Sequence, residues 1–188
     1  ESQLPRALEM EPDLASVICG VNDALRPGFD ARDFEREFTD VIEPLQAGGA
    51  TVLTATFPNV RWGRLITPQA RATIQGRLEE VCDVVRRVAA DHDALCVDAW
   101  VETPDPRVMS IDRLHPSPWG HRLMAVRAAD LLNERFGIGL EIPDPVEGER
   151  VGAGSFGQAR WMARHVLTPY VKERIETLKK TRSEPDRN

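Results

Sequence analysis

The sequence is poor in cysteine, in clustered basic residues and in long apolar runs, and each shortage excludes a class of protein. Its three cysteines form no C-x-x-C pair, which argues against a disulfide framework and against a cysteine-rich zinc site. No apolar run approaches the roughly 18 residues of a membrane-spanning helix. The formal net charge is -6 and no basic groove is visible, so nucleic acid is an unfavourable partner. We expect a soluble, cytoplasmic, single-domain protein whose three cysteines are buried free thiols.

What the sequence does contain is an alternation of strand-like and helix-like segments. LASVIC (14–19), ATVLTAT (50–56) and ALCVDA (94–99) are short and almost continuously apolar, as in parallel strands covered on both faces. Amphipathic helices separate them, the first beginning after Asp30 and the second after Thr67. This βαβαβ order predicts an α/β fold in which the strand carboxyl ends share one edge, where ligands bind.

The segment boundaries also predict how the chain is divided. Residues 1–137 form the α/β domain, and its last helix begins after Ser117-Pro118. Residues 138–157 are rich in Gly, Pro and Glu and predict an irregular connection. A C-terminal helix over 158–180 and a disordered tail over 181–188 complete the expected organisation.

The loop after the third predicted strand contains SIDRLHPSPWGH, in which Asp112 precedes His115 by three residues. A carboxylate this close can accept the Nδ1 proton of the imidazole and leave Nε2 as a base. The alternative is that Asp112 caps the next helix while His115 is an ordinary surface residue. For His121, six residues further on, we expect a place in helix packing rather than in a metal site.

A second short motif gives this one a context. GVND, from Gly20 to Asp23, and DRLH, from Asp112 to His115, resemble the third and fifth blocks of the SGNH (GDSL-type) hydrolases. That family has a flavodoxin-like three-layer α/β/α fold with a parallel sheet, and includes esterases, lipases, thioesterases and carbohydrate deacetylases. The resemblance covers about residues 1–136.

The resemblance implies specific roles in the hydrolysis of a small ester or acyl substrate, without metal or organic cofactor. Asn22 would donate to the oxyanion, His115 would be the general base of a catalytic triad, and Asp112 would orient it. Gly20 would allow the backbone to turn, and we expect Asp23 to support the loop through hydrogen bonds to backbone amides.

Two blocks of the family have no counterpart here, namely the G-D-S block with the nucleophile and the block with a second oxyanion donor. Ser155, in GAGSFG, follows no strand and lacks the G-x-S-x-G pattern. We therefore expect the N-terminal strands and the nucleophile to lie in a longer parent, which would be a serine esterase or lipase, and the quoted chain to be inactive. The alternative is a non-catalytic protein of this fold that acts through a partner or a dimer; acyl specificity and oligomeric state stay open.

Overall fold

A computed structural model describes residues 3–58, 67–99, 108–110 and 115–140. These residues form five helices and three strands: α1 (Gln3–Glu9), β1 (Leu14–Val17), α2 (Val21–Ala24), α3 (Ala31–Ala47), β2 (Thr51–Ala55), α4 (Pro68–Asp91), β3 (Leu95–Val97) and α5 (Pro118–Phe136). None of the described helices is long and apolar enough to cross a bilayer.

The three strands form a parallel sheet in the order β1-β2-β3. Helices α3 and α4 connect successive strands, so both connections are crossovers of the βαβ type. The predicted α/β fold with a parallel sheet is confirmed. Because the strands are parallel, the residues that follow each of them meet at one edge of the sheet.

The helices begin where the sequence predicts. The Asp30 carboxylate accepts hydrogen bonds from two amides of the first turn of α3, at 2.8 and 3.1 Å. The hydroxyls of Thr67 and Ser117 accept from the amides of Ala70 and Gly120, at 3.2 and 3.1 Å, and each is followed by a proline at the first helical position. Short polar caps satisfy amides that have no partner within the helix, so these boundaries are readable from local sequence.

The core lies between α3, α4 and β2. The apolar faces of the two helices meet one another and the sheet, and their most buried members are Phe38, Ile42, Val52, Leu78, Val81 and Val85. A forked ion pair joins the same helices at the surface, where the Arg87 guanidinium donates to both carboxylate oxygens of Glu35 at 2.9 and 2.8 Å. This packing holds the carboxyl ends of β1 and β2 in a fixed position.

Strand β1 departs from the prediction that all three strands are covered on both faces. Leu14 is 44% exposed and Ser16 is exposed, so the strand alternates between exposed and half-buried residues. The physical reason is its position at the edge of the described sheet, where it pairs with β2 alone.

The cysteines are free, but the prediction that all three are buried is wrong. Cys82 is buried on α4, where loss of solvation raises the pKa of its thiol to about 11. Cys96 is half-buried on β3 and Cys19 is exposed after β1. The apolar runs around the cysteines therefore indicated secondary structure correctly, but they did not determine how deeply each cysteine is buried.

Several predictions fall outside the described residues. Among them are the positions of Asp112 and Ser155, the helix over 158–180 and the tail over 181–188. Within the described part, α5 ends at Phe136 and Gly137 adopts a left-handed conformation as its cap. Residues 138–140 continue without helix or strand.

Two buried threonines, Thr54 in β2 and Thr56 directly after it, differ in their hydrogen bonds, and we expect opposite effects when each is changed to valine. The Thr54 hydroxyl is buried with no partner among the described residues, whereas the Thr56 hydroxyl donates to Asp98 at 2.7 Å. Thr54→Val should raise the free energy of unfolding by about 1 kcal/mol, and Thr56→Val should lower it by about 2 kcal/mol. Urea denaturation measures both, and a loss of stability in Thr54→Val would contradict the assignment.

Candidate active site

A cleft of about 380 Å³ opens at the carboxyl edge of the sheet. Three segments that are distant in sequence line it, namely 18–23 after β1, 56–58 after β2, and 115–124 around the start of α5. Asn22 and His115 are both among the lining residues, as are Gly20 and Asp23. The fold thus brings the two predicted motifs to one cavity.

The wall that carries Asn22 begins at Gly20, where the backbone lies close to side chains of the core. Gly20 is buried with φ 116°, and a Cβ atom there would lie 2.5 Å from Cγ1 of Val81 and 2.9 Å from Cζ of Phe34. Glycine alone accepts both this conformation and this contact. The chain then forms the short helix α2, which places Asn22 at an exposed position on the cleft, where the sequence had indicated only a turn.

This wall is supported from α4 by a residue that the sequence did not single out. The Arg77 guanidinium donates to the carbonyl oxygens of Ala24 and Arg26, at 3.4 and 3.0 Å. The carboxylate of Asp23 lies 3.5 Å from the guanidinium of Arg26, and no bond from Asp23 to a backbone amide is found in the described ranges. Arg77 therefore supports this loop across about fifty residues of sequence, and the role of Asp23 stays a prediction.

The floor of the cleft is held by a polar network between β2, β3 and α4. The Thr56 hydroxyl donates to Asp98 at 2.7 Å and accepts from the Ala99 amide at 2.8 Å. Arg86 in turn donates to both carboxylate oxygens of Asp98, at 2.8 and 2.9 Å, and this hydrogen bonding keeps the pKa of the guanidinium above its usual value. The sequence signal that could have indicated this network is a polar residue directly after each of two strands, Thr56 after β2 and Asp98 after β3.

The wall that carries His115 is a small antiparallel ladder. The Ser110 amide donates to the carbonyl of His115 at 2.8 Å, and the Ser117 amide donates to the carbonyl of Val108 at 2.7 Å. The paired segments 108–110 and 115–117 thereby fix the backbone on both sides of residues 111–114, which lie outside the described residues and include Asp112. His115 is exposed on the cleft.

Comparison with known proteins identifies the family and supports the α/β fold. The model of the GDSL-like Lipase/Acylhydrolase family matches residues 1–123, which is most of the described α/β unit. The chain belongs to this family.

Individual relatives of this chain are distant. An acetylxylan esterase of Geobacillus stearothermophilus is 26% identical over 129 residues, which are 63% of this chain and 58% of the relative. Two crystal structures share the fold at 22% identity. A lipase/acylhydrolase from Enterococcus faecalis has a TM-score of 0.55, covering 68% of this chain and 65% of that one. TesA has a TM-score of 0.53, with 71% and 69% covered. The chain therefore spans little more than half the length of the curated relative.

His121 lies in the cleft, contrary to the prediction that it packs within the helix bundle. It is exposed in the first turns of α5 and lines the same cavity as His115. No group of three His, Cys, Asp or Glu side chains suited to a metal ion occurs among the residues that the structure describes. The start of α5 next to it packs closely against the 108–110 segment, since the Ser117 amide donates to the carbonyl of Val108 and Gly120 lies against the same carbonyl.

Those contacts depend on Gly120, and we expect Gly120→Ala to destabilise the protein by about 2–3 kcal/mol, the usual cost of overpacking. A Cβ atom at this buried position would overlap the carbonyl oxygen of Val108 and lie 3.1 Å from Cβ of Pro116. The matched control is Gly76→Ala in α4, where nothing lies within 4 Å and the helix should gain about 0.5–1 kcal/mol. Thermal denaturation measures both variants; equal effects would show that the close packing beside His115 is unimportant.

Proposed function

We propose that the full-length protein hydrolyses carboxylic esters through an acyl-serine intermediate, with Asn22 and His115 in the roles that the family motifs imply. The observation that supports this is that both residues line the same cleft, although they come from opposite ends of the domain. An acyl-transfer site requires its base and its oxyanion donor in one cavity, because both must act on the same carbonyl group.

The proposed reaction assigns one task to each group. His115 accepts the proton of a serine hydroxyl as its oxygen attacks the ester carbonyl, and Asp112 orients the imidazole. The Asn22 side-chain amide donates to the oxygen that becomes negatively charged in the tetrahedral intermediate. His115 then returns the proton to the leaving alkoxide. Water attacks the acyl-serine with the same proton transfers through His115, which releases the acid and restores the serine.

We place the nucleophilic serine outside the described residues. No serine is found among the cleft-lining residues that the structure describes, and Ser117 is buried with its hydroxyl committed to the α5 cap. A cytoplasmic location is part of the same proposal and is supported by the free state of the cysteines.

The experiment is hydrolysis of p-nitrophenyl esters by the full-length protein, followed by treatment with a fluorophosphonate. We expect turnover, its loss in proportion to labelling, and a labelled serine outside the described ranges. A folded full-length protein that neither turns over any ester nor reacts with the reagent would overturn the proposal and favour a non-catalytic role.

A further inference from the structure

Helix α2, which carries Asn22, is a single turn of four residues. The first turn of a helix fixes several backbone torsions for one hydrogen bond, so a helix this short persists only where tertiary contacts support it. The Ala24 amide donates to the carbonyl of Gly20 at 2.9 Å. The Leu25 amide donates to the carbonyl of Val21 at 3.2 Å. The orientation of Asn22 therefore depends on the groups that hold α2 from outside.

The two ends of α2 are held by different contacts. The start is held against the core, because Gly20 is buried and leaves no room for a Cβ atom beside Val81. At the other end Ala24 is fully buried, and the last carbonyls of a helix have no acceptor role within it. The half-buried Arg77 of α4 supplies the donor, since its Nη1 atom lies 3.4 Å from the carbonyl oxygen of Ala24 and 3.0 Å from that of Arg26. A cationic side chain that binds these carbonyls caps the helix.

We propose that Arg77 is a positioning residue for the reaction, which keeps Asn22 in place by fixing the end of α2. The inference rests on the proposed ester hydrolysis, in which Asn22 is the oxyanion donor. Arg77 itself is not among the described lining residues of the cleft, so it acts through Asn22 rather than on the substrate. An oxyanion donor contributes most when it needs no reorientation as the charge forms, so loss of Arg77 should appear in kcat rather than in KM.

The first test compares arginine variants of the full-length protein in the hydrolysis of p-nitrophenyl acetate. Arg77→Met keeps an apolar stem but removes both hydrogen bonds, and it should lower kcat about tenfold with KM unchanged. Arg77→Lys retains a cationic donor and should recover part of the loss. The control is Arg87→Met on the same helix. Arg87 also makes two hydrogen bonds, to Glu35, but it lies outside the described lining of the cleft, so kcat should stay at the wild-type value.

A double-mutant cycle separates positioning of Asn22 from general destabilisation. If Arg77 acts through Asn22, Arg77→Met should change kcat by less than about twofold in a protein that already carries Asn22→Ala. The loss in Arg77→Met alone should also be no larger than the loss in Asn22→Ala. Equal effects of Arg77→Met with and without Asn22 would overturn the inference, and so would a change confined to KM.

A further measurement needs no turnover. Hydrogen exchange of the Ala24 and Leu25 amides reports how often the bonds of α2 open. Both amides should exchange about tenfold faster in Arg77→Met and at nearly the wild-type rate in Arg87→Met. Unchanged exchange in Arg77→Met would show that Arg77 does not hold α2. Faster exchange in a full-length protein that hydrolyses no ester would support the contact with α2 and contradict the proposed hydrolysis alone.

Discussion

His115→Ala is expected to lower kcat for ester hydrolysis by the full-length protein by about 10²–10⁴-fold, with little change in KM. The imidazole is the proposed acceptor of the serine proton, and its loss leaves the hydroxyl as a poor nucleophile at neutral pH. The side chain is exposed on the cleft and its backbone is fixed by the ladder with Ser110, so truncation to alanine should leave the fold intact. Steady-state kinetics with p-nitrophenyl acetate measures the effect, and thermal denaturation verifies folding.

The matched control is His121→Ala, because this residue is also an exposed histidine of the same cleft. We expect its kcat to stay within about tenfold of wild type, since a neighbouring side chain contributes to substrate contact rather than to proton transfer. Equal rates for wild type and His115→Ala would remove His115 from the mechanism. A much larger loss in His121→Ala would transfer the role of base to the second imidazole.

Asn22→Ala should lower kcat by about 10²–10³-fold and leave KM nearly unchanged, as expected for a donor that acts mainly in the transition state. The residue lies on α2, whose start is fixed by Gly20 and whose following loop is held by Arg77. Such preorganisation is what makes an oxyanion donor effective, because no reorientation is needed when the charge forms. Asn22→Asp keeps the shape, removes the donor and adds a negative charge, so its activity should be no higher.

Asn133→Ala serves as the control for asparagine replacement. Its side chain binds the amide and the carbonyl of Leu140 at 2.7 and 3.2 Å, at the far end of α5, and it does not line the cleft. We expect normal kcat and KM from this variant. A rise in KM with constant kcat in Asn22→Ala would assign Asn22 to ground-state binding and contradict its proposed role.

Local signals explain which parts of the fold could be predicted. Asp30, Thr67 and Ser117 cap helices through amides two or three residues away, so each boundary is determined within one turn of chain. The apolar runs that correspond to β1, β2 and β3 are also short, local signals, and they predicted the three strands in the correct order along the chain. Family motifs added Asn22 and His115 as candidates because they preserve short spacings.

The errors share a different cause, which is dependence on distant parts of the chain. Burial of β1 depends on which strands flank it, and Cys19 is exposed because it follows this strand at the edge of the described sheet. His121 lines the cleft next to Gly120, whose close approach to Val108 joins residues that are twelve positions apart. Arg77 supports the loop after α2 by donating to the carbonyl of Arg26, and no short sequence pattern indicates a contact between residues so far apart in the chain.

The sequence by itself determined the α/β class, the boundaries of its helices and the two motifs, because caps, apolar runs and short spacings are encoded within a few residues. Only the tertiary structure decided that Asn22 and His115 line one cleft together with His121 and Met124. That cleft is formed by the packing of α2 against α4 and of α5 against β3. The βαβαβ order predicts that remote segments share this edge of the sheet, but which of their side chains line the cleft depends on how the helices pack, and that packing is not encoded in a short stretch of sequence.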